Sequence, residues 1–591
     1  MAGWRSSQSR LVGTTLTTHN LSVMSPDPNR NRPSQPETPP PAAAHGVDPS
    51  AAAGAVRPIA NCDDRRRCDA DSADWQVALV GAGCGDPGLL TLRGRDALAC
   101  CDVVLFDGLA NADLLRHVRP SATQICVGKH GQSRIWSQNE INAEIVRHAS
   151  AGLRVVRLKG GDPAVFARTG EEIQAVRSAG LRFTIVPGIT AALAAGSYAG
   201  IPITHRGVAS AVALVTGHEE PGKPQSALDW PALARFPGTL VIYMGVTTAK
   251  VWSESLIAGG KPAETPVAIV RRCSLADQQV IHCRLDEVAD RLAPGQRIRP
   301  PVISIVGDVT RLAETMSWFD RRPLFGKRVL VTRPQSDNDT LVQRLSALGA
   351  DVRHQPAIAV GALDDPTDLD QAIDQLERQD FLVFCSVHGV EFFLDRFYQQ
   401  HDVRKLAELR IAAVGRKTAQ ALRGHRIHAD LVPNDYTGDA LVDLLVDQKL
   451  SRGLVVRASR GNDAWVRRLC ELGVNVSQVA AYRNEDVQDW PSSVCDDVRS
   501  GRIDWVTVTS SATARSVDRL LGHRWGKLKV AALSPVTADT LSQLGVRPDV
   551  VADPYTMDAL ADAIAHFETN VSAKMDAGSD QPSGESDERR N

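Results

Sequence analysis

The second half of the chain contains an internal repeat, which limits the architectures that the chain can adopt. The segment Leu409–Ala419 returns as Leu528–Ala538, and Ala429–Leu441 returns as Pro548–Leu560. The repeat length of roughly 120 residues is too long for one unit of a solenoid. It predicts two similar α/β domains with a cleft between them.

Short apolar runs alternate with segments of helical periodicity through both copies, which favours parallel sheets. Neither copy contains a glycine-rich phosphate loop, a metal-ligand spacing or a Ser/His/Asp constellation. Hydroxyl-rich turns follow two predicted strands, at Cys385–Ser386 and Thr507–Ser511. Such turns present hydroxyls and helix N-terminal amides to an anion, although ordinary helix capping is the simpler interpretation of any single one.

Length, charge and cysteine usage exclude several classes of protein. At 591 residues the chain is too long for one core, and about three or four domains are expected. A formal charge of −2 provides no basic field for nucleic acid. The 11 cysteines are scattered without a C-x-x-C, which argues against a disulfide framework or a zinc site and for a reducing compartment. No apolar run reaches the roughly 18 residues of a membrane span. We therefore expect a cytoplasmic protein without a metal and without nucleic-acid or membrane partners.

The two ends of the chain have compositions that predict disorder. Residues 1–73 are rich in Pro, Ala, Ser, Asn and Arg and cannot bury enough apolar surface to offset chain entropy, and residues 571–591 are rich in Asp, Ser, Glu and Gly. The acid-poor beginning faintly resembles an organelle transit peptide, and a flexible extension or an upstream start codon is the alternative. Folded regions are predicted at 75–320 and 326–570.

Polar residues end several predicted strands of the first folded region. Gln76–Val80 leads into the glycine turn Gly81–Pro87, where Asp86 replaces the third glycine of a dinucleotide fingerprint. Later strands end at Asp107 and at Lys129. Open α/β sheets place their sites at such strand ends, whereas capping or solvation explains any single residue.

In their order, the motifs of 75–320 resemble those of uroporphyrinogen-III C-methyltransferase, a family of S-adenosylmethionine-dependent tetrapyrrole methylases. These motifs are Gly81–Pro87, Leu105–Asp107, Val127–Lys129, Lys159–Pro163, Val186–Ala191, Gly200–Arg206 and Val241–Gly245. The resemblance implies two α/β lobes with S-adenosylmethionine in the cleft between them. Carried over by position, the cofactor would contact Cys84, Gly160, Gly161, Asp162, Val165, Thr190, Ala191, Met244 and Cys273.

The resemblance also implies roles for charged residues. Asp107 matches the family's proposed proton acceptor, and Lys129 matches its proposed proton donor. The substrate of that family bears eight carboxylates, for which the candidate partners are Lys129, Arg134, Arg168 and, foremost, Arg206. Guanidinium groups suit carboxylates better than lysine does, because they bind them in pairs of hydrogen bonds. The family usually has Pro where this chain has Cys84 and Gly where it has Thr169. A backbone contact at position 84 survives that change, although the loop loses the fixed φ of proline.

Region 326–570 resembles uroporphyrinogen-III synthase, through Val331–Pro334, Phe384–Ser386 and the repeated Thr-Ala motif. That family implies one lobe at 326–360 plus 484–570 and another at 361–483, joined by a two-stranded bridge. Its catalysis is thought to hold hydroxymethylbilane folded while water leaves, which requires no strong acid or base. By resemblance, Tyr482 helps the hydroxyl leave as a hydrogen-bond donor, Thr537 belongs to the second Thr-Ala motif, and Ser510 and Ser511 hold propionates.

The two resemblances support each other, because the product of the synthase is the substrate of the methylase. The fold class is α/β, with a two-lobed methylase followed by a duplicated, bilobed synthase. The predicted enzyme closes hydroxymethylbilane to uroporphyrinogen III and methylates it at C2 and C7, giving precorrin-2 for sirohaem or cobalamin. Two alternatives stay open: a methylase of another substrate, and a duplicated region that binds a tetrapyrrole without turnover. Related methylases are often dimers, so the resemblance implies a homodimer through the methylase region.

Overall fold

The computed structural model describes residues 75–128, 136–218, 227–296, 298–334, 339–434, 438–461 and 464–579. The termini predicted to be disordered, 1–73 and the part of the tail from 580, lie outside the described residues. The beginning of that tail differs from the prediction, because the last helix continues to Ser579. Ala573, Lys574 and Met575 are good helix formers, which explains why the helix does not end at 570.

The first sheet is entirely parallel, with the strand order β3-β2-β4-β1-β5. Every residue from Val77 to Val80 is fully buried, since helices cover a parallel sheet on both faces. Its elements are β1 (Val77–Gly81), α1 (Leu92–Cys100), β2 (Val103–Phe106), β3 (Thr123–Cys126), α2 (Gln138–Ser150), β4 (Val155–Lys159), α3 (Thr169–Ser178) and β5 (Phe183–Val186).

The second sheet is mixed, with the order β6-β7-β10-β8-β9. Only β6 and β7 run parallel, and the other neighbours are antiparallel. The elements are α4 (Ala191–Tyr198), β6 (Val212–Thr216), α5 (Trp230–Ala234), β7 (Thr239–Tyr243), α6 (Ala249–Ala258), β8 (Pro266–Arg271), β9 (Gln279–Arg284), α7 (Val288–Arg291), β10 (Val302–Val306) and α8 (Ala313–Met316).

The duplicated region begins with β11 and alternates strands with helices, except that two strands, β12 and β13, and two helices, α12 and α13, follow each other directly. Its first half contains β11 (Arg328–Val331), α9 (Thr340–Ala347), β12 (Asp351–His354), β13 (Ile358–Gly361), α10 (Thr367–Asp374), β14 (Phe381–Phe384), α11 (Val387–Phe397), β15 (Arg410–Ala413), α12 (Arg416–Gly424), α13 (Gly438–Asp447) and β16 (Arg452–Ala458). Its second half contains α14 (Ala464–Glu471), β17 (Asn475–Asp486), α15 (Ser492–Arg499), β18 (Trp505–Val508), α16 (Ser511–Leu520), β19 (Lys529–Ala532), α17 (Pro535–Gln543), β20 (Val550–Val551) and α18 (Met557–Ser579).

These strands form two five-stranded sheets. The third sheet, β12-β11-β18-β19-β20, is parallel and combines strands from both ends of the region. The fourth sheet, β13-β17-β16-β14-β15, takes its strands from the middle, and only β13 is antiparallel to its neighbour. The long strand β17 and its partner β13 form a two-stranded antiparallel connection beside the return of the chain to the third sheet. The predicted α/β class and the duplicated, bilobed second half are confirmed.

The cysteines and the apolar helices bear on two further expectations. Eight described cysteines are free thiols, as we predict from their scattered spacing. Cys100 differs from this prediction, because it is disulfide-bonded. No helix in the described ranges is long and apolar enough to cross a bilayer.

Candidate active sites

Three glycine turns meet at the carboxyl edge of the first sheet. Gly81 ends β1, Gly161 follows β4 and Gly188 follows β5, and these strands are neighbours. Gly83 and Gly161 exchange two backbone hydrogen bonds, of 2.7 and 3.2 Å. A Cβ atom built on Gly188 would lie 2.3 Å from the Gly161 carbonyl oxygen and 2.7 Å from Gly81 Cα. The turns therefore touch backbone to backbone, which only glycine permits.

Replacing Gly188 with alanine is expected to lower the free energy of unfolding by about 1–3 kcal/mol, because the new methyl group meets backbone that cannot rotate away. Gly170 is the matched control, since a Cβ there has no atom within 4 Å. The Gly170→Ala variant should be neutral or stabilised by up to about 1 kcal/mol. Chemical denaturation compares the two variants, and equal stabilities would contradict the tight turn.

The side chains predicted to hold the cofactor gather next to these turns. Cys84, Val165 and Ala191 are half-buried and pack against the apolar cluster of the second sheet that contains Cys273. Cys84 comes from the turn after β1, and Cys273 comes from the turn after β8. The structure thus brings residues of both sheets of the methylase-like region to one place.

A buried tyrosine, Tyr243, lies between two more of the residues predicted to contact the cofactor, Thr190 and Met244. The hydroxyls of Tyr243 and Thr190 are 2.7 Å apart, and Ala192 N–H donates to Tyr243 Oη at 2.8 Å. Met244 follows Tyr243 directly and has a φ of 54°. Thr190 and Met244 are therefore held at the same corner, at the start of α4 and the end of β7. Sequence reasoning did not single out Tyr243, although it lies inside a quoted motif.

The turn after β4 supplies the other three predicted contacts. Asp162 Oδ2 accepts a hydrogen bond from Gly188 N–H at 2.8 Å, and Asp162 Oδ1 accepts one from Ala164 N–H at 2.7 Å. Gly160 and Gly161 lie between this carboxylate and β4. All nine residues predicted to contact the cofactor are consequently grouped around the three glycine turns.

The polar groups beside these residues suit S-adenosylmethionine. A Cβ atom on Gly161 would meet backbone atoms of Ala191 and Thr190 at 3.8 Å, an ordinary van der Waals distance, and the φ of this glycine is 72°. The Thr190 side chain does not cap α4, since its hydroxyl contacts Tyr243. Tyr243 Oη takes the Ala192 N–H at the start of α4. The neighbouring backbone of this helix start and the carboxylate of Asp162 place donors and an acceptor beside the polar groups of such a cofactor.

Large apolar side chains remain exposed at the rim of the same corner. Leu109, Phe166 and Met244 have exposed fractions of 59%, 44% and 49%. The Phe166 ring lies 4.9 Å from the Tyr243 ring, and the φ of Phe166 is 49°. Left-handed backbone at non-glycine residues costs energy and is concentrated at ligand sites. An exposed apolar rim around polar turns is typical of a site for a large, partly apolar ligand.

Asp107, the predicted proton acceptor, is held by an ion pair at the end of β2. Arg157 Nη2 donates to Asp107 Oδ1 at 2.5 Å, and Gly160 N–H donates to Asp107 Oδ2 at 3.3 Å. The Gly160 contact places this carboxylate beside the turn predicted to bind the cofactor. Asp107 keeps about a quarter of its side chain exposed, so the carboxylate is accessible to a ligand.

Arg157 connects Asp107 to a buried network of charged side chains. Glu172 accepts hydrogen bonds from Arg157 Nε at 3.0 Å and from Lys159 Nζ at 2.6 Å, and its side chain has no exposed surface. Burial lowers the pKa of Arg157, but the carboxylates of Asp107 and Glu172 outweigh it and hold that pKa above its ordinary value. Burial and the charge of Arg157 lower the pKa of Lys159.

Sequence reasoning missed both Arg157 and Glu172. A signal for Arg157 was present, because a charged residue in the middle of a buried parallel strand must find a partner. Its partner Glu172 lies on α3, and the sequence alone does not specify which acid that helix turns inwards.

The predicted carboxylate partners of the methylase-like region are more dispersed. Lys129 and Arg134 lie outside the described residues. Arg168 is exposed and its guanidinium makes a two-bond pair with Glu171, at 2.7 and 2.8 Å. Arg206 is exposed in the turn closed by His205 and Ala209. The structure does not bring either arginine into contact with Asp107.

Tyr482 lies near the end of β17 and is buried against α11. Its hydroxyl is 3.0 Å from the hydroxyl of Ser386, which caps α11, and its ring stacks on Phe392 at a centroid distance of 5.7 Å. Burial raises the pKa of the Tyr482 phenol above its ordinary value. The phenol therefore stays protonated through neutral and mildly alkaline pH and can act as a hydrogen-bond donor.

The other predicted residues of the duplicated region lie at the starts of two helices that follow strands of the third sheet. Ser510 caps α16 by accepting from Thr513 N–H at 3.1 Å, and Ser511 Oγ accepts from Thr540 Oγ1 at 2.8 Å. Thr537 is buried at the start of α17, where its hydroxyl is 3.1 Å from that of Ser534. These hydroxyls mark the starts of two packed helices, whereas Tyr482 belongs to the fourth sheet.

Two buried polar atoms close to Tyr482 have no hydrogen-bond partner among the described residues. They are Arg460 Nε and Asn484 Oδ1. Ser459 joins them to the tyrosine, since its N–H donates to Tyr482 O at 2.9 Å and its hydroxyl accepts from Asn484 N–H at 3.0 Å. Unpartnered buried atoms are uncommon in folded proteins, so both atoms remain available as polar partners. Sequence reasoning identified neither residue. Within the described ranges, no group of three or more acidic, histidine or cysteine side chains could hold a metal.

Comparison with known proteins divides the chain into two regions, which correspond to the first two sheets and to the last two sheets. Residues 76–289 match the family Tetrapyrrole (Corrin/Porphyrin) Methylases, and residues 339–562 match the family Uroporphyrinogen-III synthase HemD. The porphyrin biosynthesis protein HemD of Ruminiclostridium josui is 31% identical over 492 residues, covering 83% of this chain and 97% of that protein.

Two further relatives match the first half. Uroporphyrinogen-III C-methyltransferase of Bacillus subtilis is 39% identical over 355 residues, covering 60% of this chain and 72% of that protein. A uroporphyrin-III C-methyl transferase from Thermus thermophilus, solved in complex with S-adenyl homocysteine, is 40% identical with a TM-score of 0.35, covering 40% of this chain and 99% of that chain.

Proposed function

This chain belongs to the family of porphyrin biosynthesis proteins that join a tetrapyrrole methylase to a uroporphyrinogen-III synthase, and on that premise we propose two successive reactions. Residues 326–570 close hydroxymethylbilane to uroporphyrinogen III. Residues 75–320 then transfer two methyl groups from S-adenosylmethionine to C2 and C7, giving precorrin-2 for sirohaem or cobalamin. The observation that carries the proposal is that the nine predicted cofactor contacts, from both sheets, surround the three glycine turns, with Asp107 beside the Gly160 turn.

S-adenosylmethionine supplies an electrophilic methyl group when bound. The glycine turns and the start of α4 would hold it, and alignment alone contributes much of the rate in such transfers. Asp107 would take up the proton that the ring loses as a new carbon–carbon bond forms, as a positioned carboxylate can. Arg157 keeps Asp107 oriented towards the Gly160 turn, because it donates to Oδ1 while Gly160 N–H donates to Oδ2.

In the synthase region, confinement of the linear substrate carries the reaction. The Tyr482 phenol donates a hydrogen bond to the departing hydroxyl, and Ser386 fixes its direction. Arg460 Nε and Asn484 Oδ1 would offer a donor to a propionate and an acceptor to a pyrrole N–H, while Arg460 Nη2 stays paired with Asp486 at 2.8 Å. Ser510 and Ser511 hold further propionates at the start of α16 and Thr537 supports the start of α17, in the opposite lobe. We also propose a cytoplasmic setting, which the eight described free thiols favour and the disulfide at Cys100 does not. A homodimer through the methylase region completes the proposal.

The variant Tyr482→Phe is expected to slow ring closure about tenfold, the effect of one lost hydrogen bond in the transition state. The stacked ring stays, so stability should change little. Phe392 stacks on the same ring, and Phe392→Leu serves as the control that perturbs packing without removing the hydroxyl. Product formation from hydroxymethylbilane measures both, and full activity of Tyr482→Phe would remove the phenol from the mechanism.

Methylation is tested separately with uroporphyrinogen III and S-adenosylmethionine that carries a ¹³C-labelled methyl group. Mass spectrometry should find two labelled methyl groups in the product, and NMR should place them at C2 and C7. Labelling at other ring carbons would contradict methylation at C2 and C7 and would support the reaction of another corrinoid methylase. No labelled product, with cofactor binding intact, would support a different acceptor.

A further inference from the structure

Two cysteines face each other across the cofactor corner. The sulfur atoms of Cys84 and Cys273 are 2.9 Å apart, and both residues are free thiols. Cys84 follows a strand of the first sheet and Cys273 follows a strand of the second, so a bond between them would join the two lobes. In the resembling family, position 84 is usually proline, so the thiol pair is a property of this chain.

The backbone holds the two sulfurs together independently of their own contact. Ser274 Oγ accepts from Asp86 N–H at 2.8 Å and donates to the Cys84 carbonyl oxygen. Tyr198 Oη donates to Asp86 Oδ2 at 2.6 Å from α4. A Cβ on Gly85 would lie 2.7 Å from the Cys273 carbonyl oxygen, so the two turns are in close contact. The cysteines are consequently presented to each other by fixed loops.

The chemistry of the pair favours oxidation. The hydrogen bond from Cys273 lowers the pKa of the Cys84 thiol, whereas the same contact and burial raise that of Cys273. A half-buried thiol with a lowered pKa beside a second thiol has the arrangement of a reactive and a resolving cysteine. The sulfurs need to approach by only about 0.9 Å to reach disulfide length.

We propose that Cys84 and Cys273 form a reversible disulfide on exposure to a peroxide, and that this bond blocks the cofactor cleft. The Cys84 thiolate attacks the peroxide, the O–O bond breaks, and one oxygen stays on sulfur while the other leaves as water. The Cys273 sulfur then displaces that oxygen as a second water, and the S–S bond forms. Two thiols and hydrogen peroxide thus give one disulfide and two waters, and a small dithiol reverses the change.

This inference rests on the proposed function, because it treats both cysteines as neighbours of bound S-adenosylmethionine. The turns after β1 and β8 are already in contact, so the bond would mainly draw the two sulfurs together and replace two thiols predicted to contact the cofactor with a rigid bridge. Oxidation is therefore expected to weaken cofactor binding at least tenfold. Ring closure, which takes place in the synthase region, should keep its rate.

The test uses the full chain, freed of reductant, treated with hydrogen peroxide and then alkylated. Peptide mapping should find Cys84 linked to Cys273, and calorimetry should find weaker S-adenosylmethionine binding that dithiothreitol restores. In Cys84→Ser the ratio of affinities before and after oxidation should be one, whatever the reduced affinity of that variant. Cys283→Ser, which removes a thiol on β9, should respond to oxidation as the unaltered chain does.

Oxidation of other cysteines without a linked Cys84–Cys273 peptide would overturn the disulfide. A linked peptide with unchanged cofactor affinity would overturn the block of the cleft. The linked peptide could also be found in a chain whose reduced form binds no S-adenosylmethionine. That result would overturn the proposed cofactor site and the blocking of its cleft, whereas the peptide map would still establish the disulfide.

Discussion

Replacing Asp107 with asparagine is expected to lower the methylation rate about 100- to 10,000-fold, the range for loss of a positioned general base. Asparagine retains the size of the side chain and an oxygen that can accept from Arg157 or Gly160 N–H. It cannot take up the proton that the ring loses. Ring closure should continue at its original rate, because Asp107 belongs to the first sheet and the synthase strands form the third and fourth sheets. Initial rates with uroporphyrinogen III and with hydroxymethylbilane measure the two reactions.

Asp102→Asn is the matched control for this prediction. Asp102 and Asp107 flank the same strand, β2, and each pairs with an arginine at 2.5 Å. Asp102 also accepts from Arg154 N–H at 2.8 Å, at the end of the sheet away from the glycine turns. Asp102→Asn should keep methylation within a few-fold of the unaltered chain. Equal loss in both variants would mean that an acid at either end of β2 serves only the fold.

Replacing Glu172 with glutamine is expected to destabilise the methylase region by about 3–5 kcal/mol, because two buried cations lose their shared counter-charge. For a region of this size the thermal transition should fall by roughly 6–20 °C. Methylation should fall as well, because Arg157 is then free to reorient away from Asp107. Differential scanning calorimetry and the methylation rate at low temperature separate the two effects.

Glu171→Gln provides the control on the adjacent residue of the same helix. Glu171 pairs with Arg168 on the surface, where about half of each side chain is exposed. Exposed pairs contribute little, so the change in stability should remain within about 0.5 kcal/mol. A loss of stability in Glu171→Gln as large as in Glu172→Gln would contradict the buried network as its source.

The backbone of both sites was predictable from the sequence for a simple reason. Glycines at 81, 161 and 188 and apolar runs such as Val77–Val80 have few structural alternatives, so strand ends and turns could be placed. The repeat between Leu409 and Leu528 likewise specified two similar halves. The sheet order that combines β11 with β18 came from family resemblance, because pairing between distant strands has no local signal.

The side-chain networks could not be predicted in the same way. Glu171 and Glu172 are adjacent in the sequence, yet one is exposed and the other is completely buried. Only the orientation of α3 on the sheet decides which acid meets Arg157. The same holds for Cys84 and Cys273, which are far apart in the chain and come together through the packing of two sheets. Thr537 differs from these residues, because it was predicted from the sequence as a site residue. Its hydroxyl also contacts Ser534, which caps α17, so its position is explained by helix capping as well.

The central claim is that one chain performs both reactions in sequence. It is tested most directly by incubating the purified chain with hydroxymethylbilane, with and without S-adenosylmethionine, and identifying the tetrapyrroles after oxidation. We expect isomer III of uroporphyrin without the cofactor and a dimethylated product with it. Isomer I alone, while added uroporphyrinogen III is still methylated, would contradict the two-reaction proposal and reduce the duplicated region to a binding module.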